Sequence, residues 1–236
     1  MGGALAHAWS QAGVTLTDQL SMATVVVLTV PDDAIAAVAS SLAGAVDDRA
    51  VVLHCAGALD SSVLRSSGAT AVGSLHPAQT VIGRSPEADA QALQGAWAAI
   101  EGDPGAVREA NELARAAGMR PISVTADAKP LWHAAAVLAC NDLVALLHLA
   151  DRLLVDAAGV RQGVEVFLPL VRQTLDNVER QGLSAALTGP VARGDQGTIA
   201  RHLQALAPYP DAKAAYEVLA KAARDLASSQ GSEDPP

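Results

Sequence analysis

The chain has 236 residues, half of them hydrophobic but only 3% aromatic, and a formal net charge of −9 at pH 7. This length allows one large domain or two modest ones with a sizeable core, which must consist mainly of Ala, Val and Leu. Binding to a phosphate backbone needs clustered Lys and Arg, and no such cluster occurs, so nucleic acid is not expected as a partner. An anionic cofactor remains compatible with this charge, because backbone amides at a helix N-terminus bind phosphate.

The cysteines and the apolar segments predict a soluble, cytoplasmic protein. Cys55 and Cys140 lie far apart without a CxxC spacing, which is typical of reduced, structural cysteines. The six histidines have no metal-ligand spacing with them, so no metal site is expected. The N-terminus lacks the pattern of a signal peptide. The longest apolar stretch, 134–150, contains Asn141 and His148, which predicts a buried helix and not a membrane span.

The first half of the chain alternates short apolar runs with helical patterns. Five runs are predicted as strands, at residues 24–30, 50–56, 70–76, 97–102 and 120–125. Continuous apolar runs are typical of parallel strands covered on both faces. Helical patterns at 32–46 and 104–118 lie between them. This order predicts an α/β fold with a Rossmann-like parallel sheet over residues 1–126.

The second half, residues 127–227, is predicted to be an all-helical domain. Pro130 is favourable in a first turn and Gly159 in a helix end, so residues 129–159 predict one helix roughly 40 Å long. Further helices are expected at about 161–181, 195–206 and 211–227, with Asp195 capping the second of these. Residues 228–236 have the composition of a disordered tail.

The N-terminus carries only part of a dinucleotide-binding motif. In sheets of this type the first strand leads into a GxGxxG turn. The chain begins "MGGALAHAWSQAG", which looks like the end of such a turn, with Gly2 and Gly3 as its remaining glycines and no strand before them. Either the start of the chain has been set too late or cofactor binding has been lost. The abbreviated second strand in "GVTLTDQLSMA" favours loss, because a late start does not explain an internal gap.

Polar groups are expected where the strands end, since ligands of open α/β sheets bind beyond the carboxyl ends of the strands. The segments there are "VPDD" with Val30 and Pro31, "HCAG" with His54, Ala56 and Gly57, and "SLHP" with His76. Glycine would allow the backbone to approach a ligand closely. Each histidine either serves as a local cap or supplies a proton, with an ordinary pKa near ~6.5. Pro77 would hold His76 in extended backbone.

The start of the long predicted helix adds a second set of polar side chains. Lys129 and His133 are four residues apart and share a helix face, whereas Asn141 is rotated from His133 by roughly 80°. Burying such polar side chains on an Ala-rich helix costs free energy unless they are hydrogen-bonded to partners or face a cleft. The alternative is a solvated first turn for Lys129, where a lysine carries little packing, and a core amide for Asn141.

Six ordered segments together resemble a known family. They are "LTVPDDAI", "VVLHCAGAL", "VGSLHPAQT", "AIEGD", "KPLWHAAAVLACNDLVALL" and "ALTGPVARGD…IARHL". They look like the Rossmann-like proteins with domain of unknown function 2520, in the 6-phosphogluconate-dehydrogenase-like superfamily. The resemblance implies a nucleotide-binding domain, a helical domain and a homodimer. It also implies that Lys129 and Asn141 polarise or protonate a substrate oxygen, although their spacing is longer than in hydroxyacid dehydrogenases. "SLHP" is similar to the His-Pro segment of prephenate dehydrogenases, which implies that His76 faces the substrate.

The favoured hypothesis is an NADP- or NAD-dependent oxidoreductase acting on a small oxo or hydroxy acid. Lys129 or His76 would be its acid or base, and His133 and Asn141 would orient the substrate oxygen. The cofactor would contact residues Gly2, Gly3, Val30, Pro31, His54, Ala56 and Gly57. Two alternatives remain open, a nucleotide- or metabolite-binding protein without turnover and a structural dimer formed through the helical domain. The identity of the substrate does not follow from the sequence.

Overall fold

A computed structural model of the protein describes residues 1–229, and the chain divides into two compact units. The first unit is Met1–Cys140 and the second begins at Asn141. This division lies later than the boundary expected at residue 126. The physical reason is the helix that begins at Lys129, because the buried ammonium group of this residue bonds to groups of the first unit.

The first unit contains a five-stranded sheet in the order β1-β2-β3-β4-β5. The strands are β1 (Val25–Leu28), β2 (Val51–His54), β3 (Ala71–Pro77), β4 (Trp97–Gly102) and β5 (Arg120–Ser123). Each agrees with its predicted run to within two residues at either end. The first three strands are parallel, β4 is antiparallel to β3, and β5 is parallel to β4. The predicted α/β class is confirmed, with one antiparallel pair in a mainly parallel sheet.

Helices cover both faces of this sheet. They are α1 (Gly2–Gln11), α2 (Ile35–Ser41), α3 (Pro86–Leu93) and α4 (Pro104–Ala116), with a 3₁₀ helix at Ser61–Ser67, and a further helix, α5 (Lys129–Ala139), follows β5. One hydrophobic cluster joins α1, α3 and α4 to one face, and the other joins α2 and the 3₁₀ helix to the opposite face. On α4, Ala106, Ala110 and Ala114 are fully buried. Their spacing of four keeps these small side chains on one helix face, which lets α4 approach the strands closely.

The single helix predicted for 129–159 is interrupted. α5 ends at Ala139, Cys140 leaves helical geometry with φ −122° and ψ −66°, and α6 (Asn141–Arg152) follows. The Cys140 thiol contacts the Thr80 hydroxyl at 3.0 Å. A π-helical turn, Leu153–Ala157, then ends the stretch.

The expectation that 134–150 is a buried helix is wrong for the isolated chain. Leu138 and Val144 are 68% and 65% exposed. By length and composition alone, the helical stretch Ala126–Ala157 could cross a membrane, and none of its most apolar window is buried. One helix of this kind is weak evidence for a membrane span. An exposed apolar face is equally expected where two subunits meet.

Within residues 1–229, the second unit continues with a 3₁₀ helix at Gly163–Phe167 and four α-helices. These are α7 (Leu168–Ala186, kinked at Gly182), α8 (Gly189–Ala192), α9 (Gln196–Ala205) and α10 (Pro210–Ser229). The predicted cap is confirmed, because Asp195 accepts a hydrogen bond from the Thr198 amide at 2.9 Å. The tail was predicted to begin at residue 228, but α10 includes 228 and 229. The remainder of that tail lies outside the described residues.

Candidate active site

The ends of parallel strands and the start of α5 meet within the first unit. β1, β2 and β3 run parallel, so their carboxyl ends share one edge of the sheet. His54 is the last residue of β2, and His76 is the penultimate residue of β3. α5 contributes Lys129 and His133 from a distant part of the sequence.

Two imidazole rings pack directly against Gly57. The rings of His76 and His133 are 5.5 Å apart between centroids, with an interplanar angle of 83°. A Cβ atom at Gly57 would lie 2.8 Å from both His76 Nε2 and His133 Cγ, and closer still to His133 Nδ1. Glycine is therefore required here because the two imidazoles fill the space above its Cα. The sequence had suggested a different reason, namely the approach of a ligand to the backbone.

Trp132 determines which nitrogen of His76 carries the proton. The indole Nε1–H of Trp132 donates to His76 Nδ1 at 3.1 Å. An indole nitrogen can only donate, so the proton of the neutral His76 ring lies on Nε2, the nitrogen that faces Gly57. Burial, followed by the charges of Lys129 and the neighbouring histidines, lowers the pKa of His76 to about 4. At neutral pH His76 is thus a neutral hydrogen-bond donor.

His133 contributes a buried polar atom without a partner. Its Nδ1 makes no hydrogen bond within residues 1–229. Buried polar atoms are nearly always hydrogen-bonded, so each exception calls for an explanation. This nitrogen lies beside Gly57 and the ring of His76. We call the side chains of His76 and His133 the histidine pair. The position next to this pair is therefore the strongest candidate for a ligand contact in the first unit.

Both ring nitrogens of His54 form hydrogen bonds within the protein. The Ala56 amide donates to His54 Nδ1 at 3.1 Å, so the proton lies on Nε2, which is 3.1 Å from the Asp60 carbonyl and donates to it. His54 is completely buried, and burial, with the charge of Lys129, lowers its pKa to about 4. The side chain of His54 therefore stabilises the loop after β2. This corrects the expectation that it contacts a cofactor.

Lys129 is completely buried, which contradicts the alternative of a solvated first turn. Its Nζ donates to the Ala56 carbonyl at 3.0 Å and to Ser74 Oγ at 2.8 Å. Burial lowers the pKa of Lys129 to about 8, while nearby acidic groups, first Glu101, oppose this shift. Lys129 thus joins α5 to the loop after β2 and to β3. The expectation that it carries little packing is wrong.

Glu101 is a buried polar residue that the sequence reasoning missed. It lies on β4 and accepts hydrogen bonds from the amide and the hydroxyl of Ser61, both at 2.8 Å. With His54 and Lys129, it fixes the loop of residues 55–61 that contains Gly57. An acidic residue within the apolar run "WAAIEG" was the available signal, because a buried carboxylate must be paired.

The remaining predicted residues lie elsewhere. Asn141 is exposed and begins α6 in the second unit, so its approach to the histidine pair stays a prediction. Gly2 and Gly3 form the first turn of α1, and a Cβ at Gly2 would collide with the Thr29 hydroxyl. Thr29 directly precedes Val30 and Pro31, so the start of α1 lies at the end of β1. α1 has no side-chain cap and no acidic residue in its first turn.

Solved structures of other proteins share this fold. Protein TM1727 from Thermotoga maritima is 26% identical, with a TM-score of 0.74 over 86% of this chain and 78% of that chain. BF3122 from Bacteroides fragilis, described as a candidate NADP oxidoreductase, is 24% identical, with a TM-score of 0.71 over 89% and 80% of the two chains. The pyrroline carboxylate reductase of Plasmodium falciparum, solved with NADP bound, is 13% identical, with a TM-score of 0.54 over 96% and 94%.

The second and third of these likenesses concern the fold alone, because the identities are below one quarter. No curated protein sequence matches the chain. The family described as a domain of unknown function, DUF2520, matches residues 96–223. That range contains Lys129, Trp132 and His133 as well as most of the second unit, and it is more than half of the chain. The protein therefore belongs to the DUF2520 family.

Proposed function

We propose that this protein is an NAD(P)-dependent oxidoreductase that acts on a small oxo or hydroxy acid. The observation that carries the proposal is the histidine pair. His76 presents a neutral Nε2–H, and His133 a buried Nδ1 without a partner, at the carboxyl edge of a mainly parallel sheet. Such a donor and an adjacent unsatisfied nitrogen suit the oxygen of a carbonyl or hydroxyl group. The Rossmann-like fold shared with NADP-linked reductases is consistent with this function.

One feature of this edge, the N-terminus of α1, fits the phosphate groups of a nicotinamide cofactor. The first turn of α1, with Gly2 and Gly3, offers free backbone N–H groups and the positive end of a helix dipole. It lies beside Thr29, just before Val30 and Pro31, and these residues would hold a phosphate and the adjoining part of the cofactor. Ala56 is buried, and its carbonyl is bonded to Lys129, so it would contribute through packing. A nicotinamide, when bound, supplies or accepts a hydride.

The protein's own groups would position the substrate and handle its proton. His76 Nε2–H would donate to the reacting oxygen, and Trp132 would keep the ring in this tautomer. His133 would orient the same oxygen, and Asn141 would join them if the second unit approaches this edge. Lys129 has a pKa of about 8, close to the pH at which an acid or base works well, but two of its bonds are internal. We therefore propose that Lys129 sets the position of the loop containing Gly57 and supplies charge to the site.

Binding and turnover can be tested separately. Saturating NADPH or NADH should raise the melting temperature, since a ligand at 100 times its dissociation constant adds ~2.7 kcal/mol of stability. Oxidation of NADPH with a panel of small oxo acids and cyclic imines should identify the substrate class. His76→Gln and His133→Ala should each lower turnover by ~10²–10⁴-fold while retaining cofactor binding. His148→Ala, an exposed histidine of the second unit, is the matched control and should leave turnover unchanged. Full turnover in the His76 and His133 variants would contradict the proposal.

A second candidate function is nucleotide or metabolite binding without turnover. The internal hydrogen bonds of His54 and Lys129 favour it, because neither side chain is free to exchange protons with a substrate. A melting-temperature shift with NADPH, combined with no turnover on any substrate of the panel, would support this alternative. No shift with either nucleotide would exclude both the oxidoreductase and the binding of a nicotinamide nucleotide at this site.

We further propose that the protein is a soluble, cytoplasmic homodimer formed through its helical unit. The hydrophobic side chains buried among the described residues of that unit are Ile199 and Ala220, whereas Leu170, Leu183 and Val218 are each more than 60% exposed. A second copy would cover this apolar surface. Sedimentation velocity at micromolar concentration should give a dimer, and a monomer would contradict the proposal.

A further inference from the structure

His76 is held in a state that donates a hydrogen bond but does not exchange its proton. Nδ1 accepts the indole N–H of Trp132, so the proton of the neutral ring lies on Nε2. A second proton would have to enter at Nδ1, where it would face the indole N–H, a group that only donates. The pKa of His76, which burial lowers to about 4, agrees with this geometry. His76 is therefore a fixed donor.

Four other titratable side chains near the ends of β2 and β3 are engaged inside the protein. Both ring nitrogens of His54 are bonded to backbone groups, and both carboxylate oxygens of Glu101 accept hydrogen bonds from Ser61. Burial raises the pKa of the Cys55 thiol to about 12, so the thiol is neutral at physiological pH. Lys129 is completely buried, its Nζ donates two internal hydrogen bonds, and with a pKa of about 8 it is largely protonated at neutral pH. None of these four groups is free to take a proton from a ligand.

His133 Nδ1 differs from all of these groups. It is buried and makes no hydrogen bond within residues 1–229. A Cβ atom at Gly57 would lie within 2.8 Å of both this nitrogen and His76 Nε2, so the two nitrogens border the same small region. His76 already directs an N–H into that region, and a second N–H beside it would be repelled. We therefore expect the neutral His133 ring to carry its proton on Nε2, which leaves a lone pair on Nδ1.

A hydroxyl group matches this pair of nitrogens better than a carbonyl group does. A hydroxyl both accepts and donates hydrogen bonds, so it would accept from His76 Nε2–H and donate to His133 Nδ1. A carbonyl oxygen only accepts, and it would leave the lone pair of His133 without a partner unless Nδ1 is first protonated. The neutral site is thus complementary to the hydroxyl form of a substrate, and the site with a proton on His133 Nδ1 is complementary to the carbonyl form.

We propose, given the oxidoreductase function proposed above, that His133 is the acid and base of the reaction and that His76 is its fixed hydrogen-bond donor. When a hydroxy acid is oxidised, the O–H bond breaks and the proton passes to His133 Nδ1, which leaves this ring as an imidazolium. The hydrogen on the same carbon departs with its electron pair, which an oxidised nicotinamide nucleotide accepts, and the C=O bond forms. In the reverse reaction His133 returns the proton to the oxygen. This assignment differs from the sequence-based hypothesis, in which Lys129 or His76 was the acid or base.

The first measurement needs neither substrate nor cofactor. Nitrogen-15 NMR of the uniformly labelled full chain at pH 8 distinguishes a ring nitrogen that carries a proton from one with a free lone pair, and the spectrum of His133→Asn assigns the signals of His133. We expect a free lone pair on His133 Nδ1 and a proton on His76 Nε2. A proton on His133 Nδ1 at this pH would overturn the proposal.

The second measurement compares two substitutions of His133 in steady-state kinetics with the oxo acid that the substrate panel identifies. His133→Asn places an amide near the position of Nδ1, where it can bond to an oxygen but cannot exchange a proton with it, and His133→Ala removes the contact. Both variants should lose ~10²–10⁴-fold in kcat, and the asparagine variant should change KM much less than kcat. Turnover of His133→Asn close to that of the wild type would mean that His133 only orients the oxygen, and would overturn the proposal.

Added imidazoles distinguish lost proton transfer from lost structure. The cavity in His133→Ala should admit imidazole and its methyl derivatives, which should restore hydroxy-acid oxidation at least tenfold, and the restored rate should rise with the basicity of the added compound. His76→Ala, which opens a cavity beside the same Gly57, is the matched control, and any recovery there should not depend on basicity. No recovery in His133→Ala, or recovery that is independent of basicity, would overturn the proposal.

The wild-type protein separates this proposal from the proposed function. If the wild type turns over no substrate of the panel, the oxidoreductase function is wrong, and the role of His133 as acid and base is wrong with it. If the wild type turns over an oxo acid and His133→Asn is equally active, the function stands and only the role of His133 is wrong.

Discussion

Replacing Gly57 with alanine tests the close packing of the two imidazoles. Gly57 is not among the glycines with positive φ, so an alanine would meet no backbone strain there. Its methyl group, however, would lie 2.8 Å from His76 Nε2 and from His133 Cγ. Both rings are anchored, His76 by the Trp132 indole and His133 by its place on α5. The substitution must therefore displace a ring or the loop of residues 55–61.

The expected cost follows from two opposing effects. Overpacking a well-filled site costs ~1–3 kcal/mol, and Gly→Ala at an unstrained position gains ~0.4–1 kcal/mol by restricting the unfolded chain. Because the loop is held by Lys129 and Glu101 as well as by its own backbone, it cannot move away freely. We therefore take an overpacking cost from the upper part of its range and subtract the gain from restricting the unfolded chain. We expect Gly57→Ala to lower the free energy of unfolding by about 2 kcal/mol.

The measurement is urea unfolding followed by tryptophan fluorescence and circular dichroism. Gly105→Ala on α4 is the matched control, since its Cβ would meet Ala71 at an ordinary 3.4 Å, and it should leave stability unchanged or slightly raised. A double-mutant cycle with His133→Ala should give a coupling energy of about 1–2 kcal/mol, because the closest clash is then gone. If Gly57→Ala is as stable as Gly105→Ala, or costs the same with and without His133, the reasoning about this site is wrong.

Three further predictions concern the buried polar groups. The NMR signals of His76 should show a neutral, Nε2-protonated ring from pH 8 down to 5, because its pKa is lowered to about 4; an imidazolium at pH 6 would contradict this. Since His54 and His76 both have folded pKa values of about 4, below the unfolded value of 6.5, the unfolded chain binds more protons between these values. Stability should therefore fall as pH drops from 6.5 towards 4, by up to ~1.4 kcal/mol per pH unit for each histidine, and urea unfolding at pH 7 and pH 5 measures the loss. Lys129→Ala should be ~2–5 kcal/mol less stable than Lys129→Met, which fills the same volume, and equal stabilities would show that Lys129 packs loosely.

Much of the first unit could be predicted from local sequence. Several of the runs that form β1 to β5 are continuous and apolar, as expected of strands covered on both faces, and the positions of all five agree with the structure. The cap at Asp195 was equally local, because it depends on one side chain and an amide three residues further along. The break of the long helix at Cys140 was not predictable in this way. No glycine or proline marks the change, and the weaker helix formers Cys140, Asn141 and Asp142 do not by themselves end a helix.

The candidate site also has features that the sequence predicts and features that depend on the tertiary structure. The sequence by itself determined that His54, His76 and the residues of α5 belong near the ends of strands, because chain order in an α/β fold fixes which segments reach that edge. Only the tertiary structure decided which groups are free. The imidazole of His54 has two backbone groups at 3.1 Å and is hydrogen-bonded to both. The Nδ1 atom of His133 is buried without such a partner. The partners of His54 lie only two and six residues further along the chain. Those of Lys129 and of His76 come from segments more than 50 residues away, and no local pattern of residues encodes those distances.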